Sequence, residues 1–148
     1  MKSVTTALIG ASAVLGACAH VQEAPPPPPP PPAVEAPAAT EYTVFFGFDR
    51  ADLTDLGQQT VSEAASAAMA GGATSVSVVG HTDTSGSVEY NQGLSEARAS
   101  TVVGAMVADG VNPAIITASG RSENDLAVPT EDGVREPRNR RVEIGLSN

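Results

Sequence analysis

Eight consecutive prolines, Pro25 to Pro32, divide this 148-residue chain into parts that cannot share one core. Each proline fixes φ and removes a backbone donor, so the tract can enter neither a helix interior nor a sheet ladder. What remains open to it is an extended polyproline II rod, rising about 3.1 Å per residue and spanning roughly 25 Å. Residues 19–40 are dominated by Pro and Ala, with Pro37 beyond the octad, and therefore read as a semi-rigid spacer. A ligand for a proline-recognition domain is the alternative reading of the same composition. Any core has to come from residues 41–148, a stretch of 108 residues, long enough for one domain and too short for two.

Ahead of the spacer, Lys2 precedes an apolar, small-residue run from Val4 to Ala17. A helical span needs about 20 apolar residues, and this run is shorter, so residues 1–17 read as a secretion signal rather than a membrane anchor. The run ends in Leu15-Gly16-Ala17-Cys18, which resembles the bacterial lipobox. Cys18 is the sole cysteine of the chain and can form no internal disulfide. The resemblance implies a diacylglycerol on its thiol, cleavage before it and acylation of the new amino group. More than one acyl chain makes a stable anchor. An ordinary signal peptide followed by an unmodified cysteine is the plainer alternative. Ala19, in place of an aspartate, matches the enterobacterial pattern for sorting to the outer membrane. Residues 18–40 thus form a lipidated N-terminus with its linker.

Without Lys2, seven basic residues face seventeen acidic ones, a net charge of −10. That balance argues against nucleic acid or anionic lipid as a general partner, while leaving room for a local cationic site. Residues 41–148 hold one histidine and no cysteine, so no metal centre and no other cofactor is expected. No loop has the EF-hand pattern. His81, Asp83 and Ser85 superficially suggest a hydrolase, but side chains so spaced along a strand end and turn need not converge, and no nucleophile elbow is present. The expectation is a binding module, not an enzyme.

Alternating apolar residues predict a first strand over Tyr42–Phe48, with Tyr42, Val44, Phe46 and Phe48 on one face. Thr54 can cap a helix running to about Ser66, in which Val61, Ala64, Ala65 and Ala68 make an apolar stripe ahead of Gly71-Gly72. A second strand, Thr74–Gly80, delivers the polar turn His81-Thr82-Asp83-Thr84-Ser85-Gly86. A second helix is predicted from Val88 to Asp109, with Gly110 as its stop. Strands follow over Ile115–Gly120 and, after a long polar connection containing Pro129 and Pro137, over Arg140–Leu146. The order β-α-β-α-β-(loop or short helix)-β predicts an α+β fold, a mixed four-stranded sheet with helices packed on one face.

Val44-Phe45-Phe46 with Asp49, Gly80-His81-Thr82-Asp83 with Gly86 and Asn91, Leu94-Ser95-Glu96-Ala97-Arg98-Ala99, and Asn139-Arg140-Arg141-Val142-Glu143-Ile144 together resemble the OmpA-like peptidoglycan-binding domain. The motifs occur in order across residues 42–146. The resemblance implies non-covalent binding of the diaminopimelate end of a wall peptide, which carries an ammonium and a carboxylate on one carbon. Asp83 would accept from the ammonium and Arg98 would take the carboxylate in a two-bond fork. Pairing of Asp83 and Arg98 with each other or with neighbours is the structural alternative. Phe48, Asp49, His81, Thr82, Asn91 and Leu94 match positions that could line the pocket, although Phe48 and Leu94 are equally explained as core. Arg140 and Arg141 point to opposite faces of a strand, so at most one reaches the pocket readily. Gly47 stands where some family members carry an acid, which removes one carboxylate from the ammonium site. Residues 18–148 contain no lysine, which rules out covalent attachment to the wall through a lysine amine. The implied protein is an outer-membrane lipoprotein with its domain in the periplasm, tethering membrane to wall. A component of a Tol-type constriction complex and a lipid-anchored protein-interaction module are the alternatives.

Overall fold

Val76 and Val78 lie on one side of a strand and Ser75 and Ser77 on the other, which gives β2 (Ser75–Gly80) one buried and one exposed face. The same alternation shapes β4 (Arg141–Ser147), where Val142, Ile144 and Leu146 are buried and Glu143 is exposed. The computed structural model describes residues 40–148; the signal segment, Cys18 and the proline spacer lie outside the described residues. β1 (Thr40–Phe45) and β3 (Ile116–Gly120) complete a sheet of order β1-β4-β2-β3. β4 runs antiparallel to both β1 and β2, whereas β2 and β3 are parallel. A parallel pair needs a crossover, and α2 (Val88–Ala108) supplies it. The other helix, α1 (Asp55–Ala70), joins β1 to β2.

The inward valines and leucine of the sheet meet Val61, Ala64, Ala65 and Ala68 of α1 and Ala99, Val102 and Met106 of α2 in one core. The alanine stripe lets α1 lie close to the strands. Thr54 caps α1 by accepting from the Gly57 N–H at 3.0 Å, and Ser87 caps α2 by accepting from the Tyr90 N–H at 3.2 Å. The predicted element order is therefore realised as an α+β mixed sheet with its helices on one face.

Several boundaries shift by a few residues, three of them for an identifiable reason. Helix α1 runs one turn past Ser66 to Ala70, because Ala67 and Ala68 continue the apolar stripe and Gly72, at φ 64°, is where the chain turns away. β3 starts at Ile116 because a short 3-10 turn, Pro113–Ile115, takes up the preceding residues. The first strand ends at Phe45 rather than Phe48. Phe46 still donates to the Arg140 carbonyl at 2.9 Å, but the carbonyls of Phe46, Gly47 and Arg50 accept from arginine side chains instead of a neighbouring strand. Phe48 consequently leaves the core face and is 43% exposed.

One close approach sets the position of α2. Gly80 and Gly120 are partners across the β2–β3 ladder. A Cβ built on Gly80 would stand 2.0 Å from the Ser95 carbonyl oxygen, and one on Gly120 would stand 2.3 Å from the Ser95 hydroxyl. The helix backbone thus rests directly on two glycines. Ser95 Oγ donates to the Gln92 carbonyl at 2.8 Å and accepts from the Ser122 N–H at 3.1 Å, so the buried hydroxyl is satisfied. Replacing Gly80 with alanine forces a helix backbone to move, and we expect Gly80→Ala to cost about 3 kcal/mol or more in urea unfolding. Gly145→Ala, whose Cβ meets nothing nearer than Ser77 Cβ at 3.9 Å, should change stability by less than about 1 kcal/mol. Equal effects of the two substitutions would mean that the close contact does not govern helix placement.

Candidate functional site

At the C-terminal end of β2, the β1–α1 loop, the β2–α2 loop, the first turns of α2 and the segment leading into β4 enclose a cavity of about 310 Å³. Arg98 points into this region because Ser95, one helical turn earlier, is seated on the paired glycines. Its guanidinium is fully buried and donates to three backbone carbonyls, Arg50 from Nε at 2.8 Å, His81 from Nη1 at 2.9 Å and Gly47 from Nη2 at 3.1 Å. It also lies 5.4 Å from the centroid of the Phe46 ring. Each terminal nitrogen keeps a second N–H that no described residue takes. Burial pushes the Arg98 pKa down to about 10, against the support of the Asp83 charge, so the side chain remains a cation at neutral pH.

Asp83 does not pair directly with Arg98. Its Oδ2 accepts from Arg140 Nη1 at 3.2 Å, and its Oδ1 accepts from the Ser85 hydroxyl and, at 3.2 Å, from the Ser85 N–H. The carboxylate is 3% exposed, and both its hydrogen-bond partners are themselves at the cavity. Of the two adjacent arginines, Arg140 lines the cavity. Arg141 turns to the other side, where it donates to Glu143 at 2.7 Å and to the Asp125 carbonyl at 3.3 Å.

Phe48, Asp49, Thr82, Asn91 and Leu94 also line the cavity beside Asp83 and Arg98. Thr82 is 1% exposed, and among the described residues its hydroxyl has no hydrogen-bond partner, a cost that a ligand group or water could relieve. Asn91 is held by its amide, which donates to the Asp83 carbonyl at 3.2 Å and to Glu123 at 2.7 Å. Asp49, at φ 53°, accepts from the Tyr90 hydroxyl, and that bond raises the phenol's pKa.

His81 is the exception among the expected pocket residues, since its ring is fully buried and faces away from the cavity. Its Nδ1 donates to the Asp125 carbonyl at 3.1 Å, and its Nε2 lies 3.7 Å from Glu143 without a hydrogen bond. Only its backbone carbonyl serves the site, as an acceptor for Arg98. Sequence reading missed Arg135, Tyr90 and Ser85. Ser85 belongs to the polar turn already singled out, and Tyr90 lies on the cavity face of α2 one residue before Asn91. No local pattern marked Arg135, which lies in the long connection before β4.

The sequence profile of the OmpA family matches residues 45–140. Over 146 residues the chain is 32% identical to the peptidoglycan-associated lipoprotein of Pasteurella multocida, covering 96% of this chain and 97% of that one. It is 43% identical over 116 residues to an outer membrane protein of Gluconacetobacter diazotrophicus, covering 74% of this chain and 30% of that protein, so it spans under a third of that relative's length. The crystal structure of the peptidoglycan-associated lipoprotein from Burkholderia pseudomallei superimposes with a TM-score of 0.66 at 25% identity, over 72% of this chain and 90% of that one.

The environment of His81 has a consequence for stability. Burial, seconded by the charge of Arg141, holds its pKa below the ordinary 6.5, although Glu143 and Asp125 act the other way. The unfolded chain therefore binds a proton that the folded one resists. Stability is complete above about pH 6.5 and falls as the pH drops below it, with a slope of at most about 1.4 kcal/mol per pH unit for one proton. Residues 40–148 contain no other histidine, so this slope should be visible before the carboxylates titrate. Urea unfolding of this domain at pH 7.5, 6.5 and 5.5 should show a loss in the wild type and a flatter profile in His81→Gln. Identical profiles would assign the pH dependence to other groups.

Proposed function

Because the chain belongs to the OmpA family, we propose that it is an outer-membrane lipoprotein whose C-terminal domain binds peptidoglycan non-covalently and tethers the membrane to the wall. The observation that carries this reading is the cavity itself, where a buried carboxylate, Asp83, and a buried guanidinium, Arg98, share one wall with the unpartnered hydroxyl of Thr82. A zwitterion bearing its ammonium and carboxylate on one carbon, as in a diaminopimelate stem peptide, complements that set. The ammonium would replace the Ser85 hydroxyl on Asp83, and the carboxylate would take the remaining N–H groups of Arg98. Preorganisation favours the exchange. Arg98 is already immobilised by three carbonyls, so little of its side-chain freedom remains to be lost on binding.

Residues 1–17 act in this reading as the secretion signal, Cys18 as the lipidated residue and the proline tract as the stand-off between bilayer and domain. The similarity to the lipoprotein of Pasteurella multocida runs nearly end to end, which supports this arrangement over that of a domain within a larger outer-membrane protein. That similarity also keeps open a second reading, in which the same lipoprotein docks a periplasmic protein of the Tol type during envelope constriction. Binding rather than catalysis is proposed because Asp83 is tied to Arg140 and, through the Ser85 N–H and hydroxyl, to its own turn, contacts that hold the loop in place.

The direct test is co-sedimentation of residues 40–148 with purified diaminopimelate-type peptidoglycan. Wild type should pellet with the wall, and Asp83→Asn, which keeps the shape of the side chain, should lose at least about tenfold in affinity. Arg98→Ala is a poorer probe, since it strands three backbone carbonyls and is expected to unfold the domain. A wild-type domain that stays in the supernatant refutes wall binding. The anchor is tested separately by metabolic labelling with radioactive palmitate in cells, where the full chain should incorporate label and Cys18→Ala should not.

A further inference from the structure

Three guanidinium groups line the cavity, and two are already committed. Arg98 holds three carbonyls, and Arg140 holds Asp83 and the Phe46 carbonyl, at 3.2 Å each. Arg135 differs, because among the described residues no acidic side chain and no carbonyl accepts a hydrogen bond from it. Glu136, next to it in the chain, is instead bound to Arg138 through two hydrogen bonds of 2.9 and 3.2 Å. What holds Arg135 is the exposed ring of Phe48, whose centroid lies 3.8 Å from the guanidinium carbon. Stacking on an aromatic face orients the cation and uses none of its N–H donors.

The backbone that presents Arg135 is fixed. Gly133, at φ 78°, donates its N–H to the Thr84 carbonyl at 2.8 Å. The buried Thr84 hydroxyl donates to the Glu131 carbonyl at 2.7 Å and accepts from the Val134 N–H at 3.2 Å. The turn before Arg135 is thereby clamped to the same β2–α2 loop that carries Asp83. An oriented cation with its fork uncommitted stands on the rim of a cavity whose other charges are accounted for, in a chain that is acidic overall.

From this arrangement we infer that Arg135 recognises a second carboxylate of the ligand, on the residue adjoining the zwitterionic one. The inference rests on the wall-binding reading above and extends it. In a stem peptide the adjoining residue is a γ-linked glutamate, whose α-carboxylate is either free or amidated. The site therefore discriminates the acidic form from the amidated form, and Arg135 is the specificity-determining residue. Phe48 is a positioning residue that holds the fork in place.

The test is isothermal titration calorimetry of the purified full chain in detergent at low ionic strength, with two synthetic tripeptides, alanyl-γ-glutamyl-diaminopimelate with the glutamate α-carboxylate free or amidated. Wild type should prefer the free acid by about three- to tenfold. Arg135→Gln should bind both peptides with equal affinity, close to that of wild type for the amide, and Arg135→Lys should retain part of the preference. A purely structural staple between Arg135 and Phe48 would lower both affinities together and leave their ratio unchanged. Equal binding of the two peptides by wild type, or a preference that survives in Arg135→Gln, overturns this inference while the wall-binding reading stands. Failure of wild type to bind either peptide overturns both.

Discussion

The buried guanidinium of Arg98 is the interaction on which the functional end of this domain depends. Backbone carbonyls that leave a sheet need new donors, and a buried carbonyl without one is costly. Gly47 and Arg50, after β1, and His81, after β2, all turn their carbonyls toward Arg98. One side chain therefore replaces the missing ladder for two loops at once and holds them at a fixed separation. Burying a cation is itself unfavourable, as the lowered pKa of Arg98 records, and the three acceptors together with the nearby Asp83 charge offset that cost.

Arg98 can occupy this position only because α2 comes unusually close to the sheet. Gly80 and Gly120 leave no side chain between strand and helix, and Ser95 fills the space with its own backbone and hydroxyl. The glycine pair thus acts on the cavity at one remove, by setting the height of the helix that carries Arg98, Leu94 and Asn91. The remaining wall comes from the long connection before β4, fastened through Thr84 and through the Asn139 amide, which both donates to and accepts from the Val128 backbone at 2.8 Å. The cavity is consequently built from loops, yet loops whose polar backbone groups are tied to neighbouring elements.

Much of the fold could be read from local pattern. Valines alternating in β2 and β4, the alanine stripe of α1, the cap at Thr54 and the glycines after both helices each report on a few consecutive residues, and their signals survive in the folded chain. The end of β1 was not legible, because alternation continues to Phe48 while the carbonyls there are claimed by arginines distant in sequence. Within the site, Asp83, Arg98, Phe48, Asp49, Thr82, Asn91 and Leu94 were singled out and share one cavity. His81 was grouped with them by its motif, but its ring packs on the other side, where the Asp125 carbonyl accepts from it and Glu143 lies nearby.

By itself the sequence determined the strand and helix periodicity, the absence of lysine beyond residue 2 and the opposite charges available near the end of β2. Tertiary structure alone decided which charges meet. Asp83 lies with Arg140, fifty-seven positions away, and not directly with Arg98, while Arg135 is brought over Phe48 from a connection with no pattern of its own. The physical reason is that periodicity and capping are properties of neighbours along the chain. The partner of a buried charge, by contrast, is chosen by which donors and acceptors the packed backbone leaves unsatisfied, and that is known only once distant segments have come together.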